Sequence, residues 1–199
     1  AILLLVSHAP GRLLPTIRSR CRQLKLAPLE NTAVAALIAS YRPDIPKDDR
    51  STLTSLADGS IGRALDLADS EGVLLMRMLL GIFNGLPDLN MEAAHKFADV
   101  VSKRDADNAW RTATEIASRS LCDLVSAGTR NIDLASRGYT PEEAQSLMRL
   151  TTLADTSSWI EVWEKNNELF ARADSANLDR KQVMISALTA MENTARTGV

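Results

Sequence analysis

The residues with the clearest chemical potential are five cations near the start of the chain. Arg12, Arg18, Arg20, Arg22 and Lys25 lie within the first 29 residues, where no Asp or Glu occurs. A guanidinium is always charged and offers a planar fork of donors that suits phosphate or carboxylate oxygens. At least one of these groups is therefore expected to face an anion or an acidic partner. A solvated basic turn is the alternative, and composition alone does not decide between the two.

The rest of the chain is acidic. The whole chain carries a formal net charge of −2 and its first 29 residues carry +5, so residues 30–199 carry −7. An acidic surface does not favour general nucleic-acid binding. The place to seek a bound anion is the basic start of the chain.

Other groups that could do chemistry lack the partners they would need. His8 and Cys21 could form a nucleophile pair, but no acid lies nearby in sequence to orient the histidine. Cys21 and Cys122 are too far apart to indicate a metal site or a disulfide framework, which favours a reducing, cytoplasmic compartment. No G-x-x-x-x-G-K-[ST] motif occurs, so no phosphate cradle is encoded. His95 is expected on a partly exposed helix face.

Two sets of large apolar residues are interpreted as core. Trp159, Trp163 and Phe170 follow one another at steps of four and seven, which places them on one helix face. Such a stripe is more typical of a core than of a platform for stacking bases. Met76 and Met78 are expected to fill the core around a very apolar helix.

The first 27 residues have the pattern of an α/β layer. Residues 1–6 predict a buried strand, 13–19 a short helix and 22–26 a second strand. Two short strands do not form a stable sheet by themselves. Since the sequence starts without Met on an apolar run, it is interpreted as a fragment that begins inside a domain. That run is far too short for a signal peptide or a membrane span.

Beyond Pro28 the pattern is helical. Asn31 is expected to cap a first short helix, Gly59 to stop a second over 48–57, and Ser60 to cap a third over 61–69. Thr140 to Glu143 predicts a capping box. The longer helices are predicted at 73–86, 91–103, 104–127, 141–154, 157–173 and 176–195.

The basic segment resembles a motif of a known family. Ser19-Arg20-Cys21, after an apolar run and Leu-Leu-Pro-Thr, is similar to the SRC motif of the bacterial clamp-loader AAA+ subunits of DNA polymerase III. The resemblance implies that Arg20 is a trans arginine finger for ATP bound with Mg²⁺ on an adjacent subunit. It also places Ser7 near the family's sensor 1 position.

Two further segments resemble the same family. Residues 57–65, Ala-Asp-Gly-Ser-Ile-Gly-Arg-Ala-Leu, are similar to the segment that opens the last helix of the AAA+ lid, where sensor 2 lies. Arg63 occupies that sensor 2-like position. Its charge is unfavourable in a first helical turn, so a partner or ligand is expected; a solvated arginine at a tight helix crossing is the alternative. Residues 177–180 look like the end of the family's collar.

The resemblance implies a mainly α protein in three parts. Residues 1–27 are the tail of an AAA+ nucleotide-binding domain, 28–72 a three-helix lid, and 73–199 an all-α collar. The implied function is that of a clamp-loader stator, which helps load the sliding clamp onto primed DNA and hydrolyses nothing itself. Its implied partners are the gamma/tau and delta subunits through the collar, with clamp and DNA met only in the assembly and no membrane. No cofactor, metal or activity is expected of this chain alone.

Two alternatives stay open at this point. One is the gamma/tau subunit, which keeps an active ATP site; the other is a helical adaptor unrelated to ATP. Because the predicted helix 73–86 is apolar on nearly every side, the collar is expected to expose an apolar patch of several hundred Å².

Overall fold

A computed structural model describes residues 3–7, 9–103, 106–130 and 132–198. Within these ranges the chain forms helices and no strand, so the prediction of a mainly α fold is confirmed. The helices are α1 Pro15–Arg18, α2 Asn31–Tyr41, α3 Lys47–Leu56, α4 Ile61–Asp69, α5 Gly72–Gly85, α6 Met91–Val101, α7 Asp107–Arg130, α8 Pro141–Leu150, α9 Thr156–Ala176 and α10 Arg180–Thr197. Short 3-10 turns lie at Pro10–Arg12 and Ala135–Arg137.

The two segments predicted as strands are irregular where the structure describes them. Residues 3–7 and 22–30 form no ladder, and Leu3, Leu4, Val6, Leu24 and Leu26 are between 82% and 89% exposed. The strand prediction is therefore wrong for these residues. An extended segment needs neighbouring strands to satisfy its backbone groups, and the described chain supplies none.

Helices α2, α3 and α4 form a small bundle. One of the two helix caps predicted for it is present. The hydroxyl of Ser60 accepts a hydrogen bond from the backbone N–H of Arg63, which confirms the predicted cap of α4. Asn31, by contrast, is the first residue of α2, and Glu30 precedes it without a side-chain cap. The bundle core is apolar, with Val34, Ile38 and Leu53 almost fully buried.

Gly59 joins the end of α3 to the segment that enters α2. Its φ of +79° lies in the left-handed region, and a Cβ there would lie 2.6 Å from the Cβ of Pro28. The N–H of Leu29 donates to the carbonyl of Gly59 at 2.8 Å. Only a glycine permits both the backbone conformation and this close passage of residues 28–29.

Helix α5 lies at the centre of the chain and contacts α3, α4, α6, α7 and α8. Most of its apolar side chains are buried, and Met76 and Met78 belong to this core, as predicted, the second only in part. The guanidinium of Arg149 in α8 donates to the carbonyls of Phe83, Asn84 and Leu86 at the C-terminal end of α5. The carbonyl of Phe83 also accepts the backbone N–H of Leu86.

The longer helices pack around two buried tryptophans. Trp110 of α7 meets Phe170 of α9 edge to face with ring centroids 6.0 Å apart. Its indole N–H donates to Asp174, and the guanidinium of Arg180 stacks 5.5 Å from its ring centroid. Trp159 is also buried. The aromatic stripe on α9 is therefore core, as predicted, with Trp163 only half-buried.

Thr140 begins α8 with the predicted capping box. Its hydroxyl accepts from the N–H of Glu143, whose carboxylate accepts from the N–H of Thr140. None of the helices in the described ranges is long and apolar enough to cross a membrane.

The expected apolar patch on the collar is absent from the described residues. Large apolar side chains that remain exposed beyond residue 72 lie singly on four helices: Leu74 (47%), Met91 (44%), Met148 (42%) and Ile160 (38%). Such scattered exposure is ordinary for a protein surface. The patch prediction is wrong because α5 is covered by helices of its own chain.

Buried apolar residues from Val34 to Ala195 form one continuous core, and a domain boundary at 72/73 stays a prediction.

Replacing Gly59 by Ala should lower the free energy of unfolding by about 2 kcal/mol or more, because the new methyl group meets Pro28 in a left-handed backbone. Urea denaturation followed by circular dichroism would measure the loss. Gly81→Ala is the matched control: Gly81 is exposed on α5 with open space around it, so helix propensity should add about 0.5–1 kcal/mol. Equal effects of the two substitutions would contradict this account of Gly59.

Candidate functional site

The basic segment is organised around the single turn of helix α1. Leu14 precedes the helix, and Pro15 occupies the first position, where its missing N–H costs nothing. The turn closes through the N–H of Arg20, which donates to the carbonyl of Ile17 at 3.1 Å. The hydroxyl of Ser19 donates to the carbonyl of Thr16 at 3.3 Å. The Arg20 side chain therefore leaves from the end of a short, ordered turn.

The cations of this segment are exposed and unpaired. Arg12, Arg18, Arg20, Arg22 and Lys25 are all exposed, and no carboxylate in the described ranges lies within 4.0 Å of their charged atoms. Like charges at this density repel one another, so the segment presents a positive field to solvent. The arrangement is suited to an anionic group supplied from outside the described chain.

The other predicted site residues are not gathered around Arg20 by any described contact. Ser7 is exposed, and its hydroxyl accepts a hydrogen bond from the N–H of Ala9 at 3.3 Å. Cys21 is an exposed free thiol. His8, the proposed partner of that thiol, lies outside the described residues. His95 is exposed on α6.

Arg63 faces the helical body. It occupies the third position of α4, and its guanidinium pairs with Glu115 of α7 at 3.4 Å. Its Nε is enclosed and makes no hydrogen bond. The side chain lines an open cavity of about 420 Å³ between α4, α7 and α9, beside Cys122 and Trp163. The expectation that Arg63 needs a partner is thus met by Glu115 of the same chain.

A buried polar cluster on α7 was not predicted from the sequence. The carboxylate of Asp123 is only 1% exposed and accepts a hydrogen bond from the hydroxyl of Tyr139 at 3.1 Å. The guanidinium of Arg137 lies 3.3 Å from it, and Arg119 lies 3.7 Å away, one turn back on α7. The spacing of Arg119 and Asp123 by four residues was the signal available in the sequence.

Burial is the largest influence on the pKa values of Asp123 and Tyr139. Desolvation raises the pKa of Asp123 above its ordinary value, although the positive charges of Arg137 and Arg119 act in the opposite direction. Desolvation and the neighbouring Asp123 likewise raise the pKa of Tyr139. The cluster therefore holds a carboxyl whose charged form is costly to bury.

No group of three or more His, Cys, Asp or Glu side chains is arranged to hold a metal ion in the part of the chain that the structure describes. Among the described residues, the unpaired cations before Glu30 and the cavity lined by Arg63 are two features that could act on a ligand.

Together these features define a helical protein that carries a basic arginine turn ahead of a three-helix bundle. A comparison with curated proteins adds a partial relative. Over 60 residues the chain is 45% identical to the DNA polymerase III subunit delta' of Pseudomonas aeruginosa strain PAO1. The matched part is 30% of this chain and 18% of that subunit, so the chain is related to delta' over that stretch only. No protein-family model matches the chain, and no solved structure matches it.

The raised pKa of Asp123 predicts a pH dependence with a definite sign. Between the ordinary pKa of the carboxyl and its raised folded-state pKa, the native chain binds more protons than the unfolded chain. The stability contributed by this group is therefore greatest below that window and falls as pH rises through it. Asn at position 123 does not titrate, so the stability of the wild type relative to Asp123→Asn should fall as pH rises from about 4 through the raised pKa of Asp123.

Urea denaturation of both proteins at constant ionic strength would measure this difference. A wild type that gained stability relative to the variant as pH rose would mean that Arg119 and Arg137 outweigh burial, which would contradict the raised pKa.

Proposed function

We propose that the chain is part of a delta'-type clamp-loader subunit and that Arg20 is its trans arginine finger. The proposal joins the partial identity to the delta' subunit with the position of Arg20 in a Ser-Arg-Cys sequence. In this role the subunit hydrolyses no ATP itself. It completes the site of a neighbour.

The observation that carries the proposal is the exposed, unpaired guanidinium of Arg20. A finger must be free to leave its own chain and must not be neutralised by it. Arg20 meets both conditions, since the first 29 residues hold no acid and the described carboxylates lie beyond ion-pair distance. The ordered turn of α1 gives the side chain a defined starting point.

The chemistry of such a finger is electrostatic. As a phosphoryl group is transferred, negative charge spreads over its oxygens, and a guanidinium placed there stabilises the transition state. Its planar fork can meet two oxygens at once, which a lysine ammonium cannot do. The ATP, the Mg²⁺ and the groups that bind them belong to the neighbouring subunit in this proposal.

The proposed partners are the gamma/tau and delta subunits, with sliding clamp and primed DNA met only as part of the assembly. Since the collar residues expose apolar side chains only singly, association through the collar would depend on shape and polar contacts more than on one apolar patch. The acidic remainder of the chain agrees with protein partners better than with direct DNA binding.

Arg20→Ala in the full-length protein should lower the ATPase rate of the reconstituted loader by at least about tenfold while assembly stays intact. Arg20→Lys should restore little, because an ammonium lacks the planar fork. Steady-state ATP turnover, with size-exclusion chromatography to check assembly, would measure both effects.

Arg12→Ala and Arg22→Ala are matched controls, since both remove an exposed, unpaired arginine of the same segment. They should leave turnover near the wild-type rate. If Arg20→Ala also leaves turnover unchanged, Arg20 is not the finger. If no variant of the protein joins the loader, the helical adaptor becomes the better interpretation.

The chain alone should neither bind ATP tightly nor hydrolyse it. Its sequence contains no phosphate-binding loop, and isolated arginines do not replace a nest of backbone N–H groups. Isothermal titration calorimetry with ATP and Mg²⁺ would detect a site. A Kd in the range of about 1–10 µM would contradict the prediction and favour the gamma/tau interpretation.

A further inference from the structure

Helix α7 presents one polar face to the three-helix bundle. Thr112, Glu115, Arg119 and Asp123 follow one another at steps of three and four residues, which places them on one side of the helix. Each of them contacts a polar group outside α7. Thr112, Glu115 and Arg119 therefore meet the bundle, or the turn that follows it, through directional polar contacts. Asp123 continues this line towards the loop before α8.

Arg119 makes the most bonds on this line. Its side chain is only 13% exposed. One terminal nitrogen donates to the carbonyl of Leu56 at 3.2 Å and to the carboxylate of Asp58 at 2.9 Å, and the other donates to the carbonyl of Ser55 at 2.9 Å. The carbonyls of Ser55 and Leu56 belong to the last turn of α3, where intrahelical partners are missing. A cation there also complements the negative end of the helix dipole.

The Nε of Arg119 is enclosed and makes no hydrogen bond, and the carboxylate of Asp123, one turn further along α7, lies 3.7 Å from it. Arg137 and Tyr139, which contact that carboxylate, come from the loop before α8. Gly138 in that loop has a φ of +93°, and a Cβ on it would lie 2.6 Å from the Cβ of Ser55. The end of α3 and the loop before α8 thus pack against each other beside Arg119 and Asp123 of α7.

We propose that Arg119, bonded to Ser55, Leu56 and Asp58, is a latch that fixes the orientation of the α2–α4 bundle relative to α5–α10. A buried, multiply bonded ion contributes little net stability but can select one arrangement of the parts it joins. The bundle and the later helices share one continuous apolar core, but apolar contact is non-directional and does not by itself fix the angle between them. The latch makes the bundle, and the basic segment attached to it through Leu29 and Gly59, point in one direction. This inference does not depend on the proposed function.

The test measures orientation rather than stability. Nitroxide labels on Ser40→Cys in α2 and Glu168→Cys in α9, both exposed positions, would report the distance between the two parts by double electron–electron resonance. Cys21 and Cys122 are replaced by Ser in all proteins. Arg119→Met, which keeps the length of the side chain and removes its donors, should widen the distance distribution about twofold relative to the parent.

Arg111→Met is the matched control, since Arg111 is an exposed arginine on the same helix and its guanidinium has no described partner; its distribution should stay as narrow as the parent's. Arg119→Lys keeps the charge but cannot reach all three acceptors, so its distribution should also widen. If Arg119→Met fails to fold, Arg119→Lys decides. A distribution as narrow as the parent's in a folded Arg119→Met protein, or in Arg119→Lys, overturns the latch.

Discussion

The structure depends first on the burial of the apolar side chains of helix α5. Helix α5 carries apolar residues on nearly every side, and water would face whichever side had no neighbour. Among the described residues, α3 and α4 of the small bundle before it and α6, α7 and α8 after it contact it. Because α5 follows α4 with only Ser70 and Glu71 between them, the bundle is drawn against the same core. Burying α5 therefore brings both parts of the chain together.

That burial explains why the polar groups between the two parts need partners from the same chain. Once α5 draws α3 and α4 toward α7, the carbonyls at the end of α3 lose access to water and need donors. Arg119 supplies them, and Asp123 offsets its charge. The basic segment has no such neighbours, since its described attachment begins at Leu29. Its cations stay free for that reason, and the proposed role of Arg20 depends on it.

Local signals in the sequence predicted the helices well. Contacts between residues distant in sequence could not be predicted from it. Ser60 and Thr140 were identified as caps because capping is decided within four residues. The strand predictions were wrong because a strand depends on partners that the described chain does not contain. Arg63 was expected to need a partner, but Glu115 lies 52 positions away and could not be named from sequence. For Arg119, the acceptors on α3 lie more than 60 positions away.

The placement of the aromatic residues determines what spectroscopy can see in this protein. Trp110, Trp159 and Trp163 all lie on α7 and α9, while the bundle of α2 to α4 contains Tyr41 and no tryptophan. Intrinsic tryptophan fluorescence therefore reports the melting of the later helices alone. Circular dichroism reports every helix. Coincident unfolding transitions in the two signals would therefore show that the bundle and the later helices unfold as one cooperative unit.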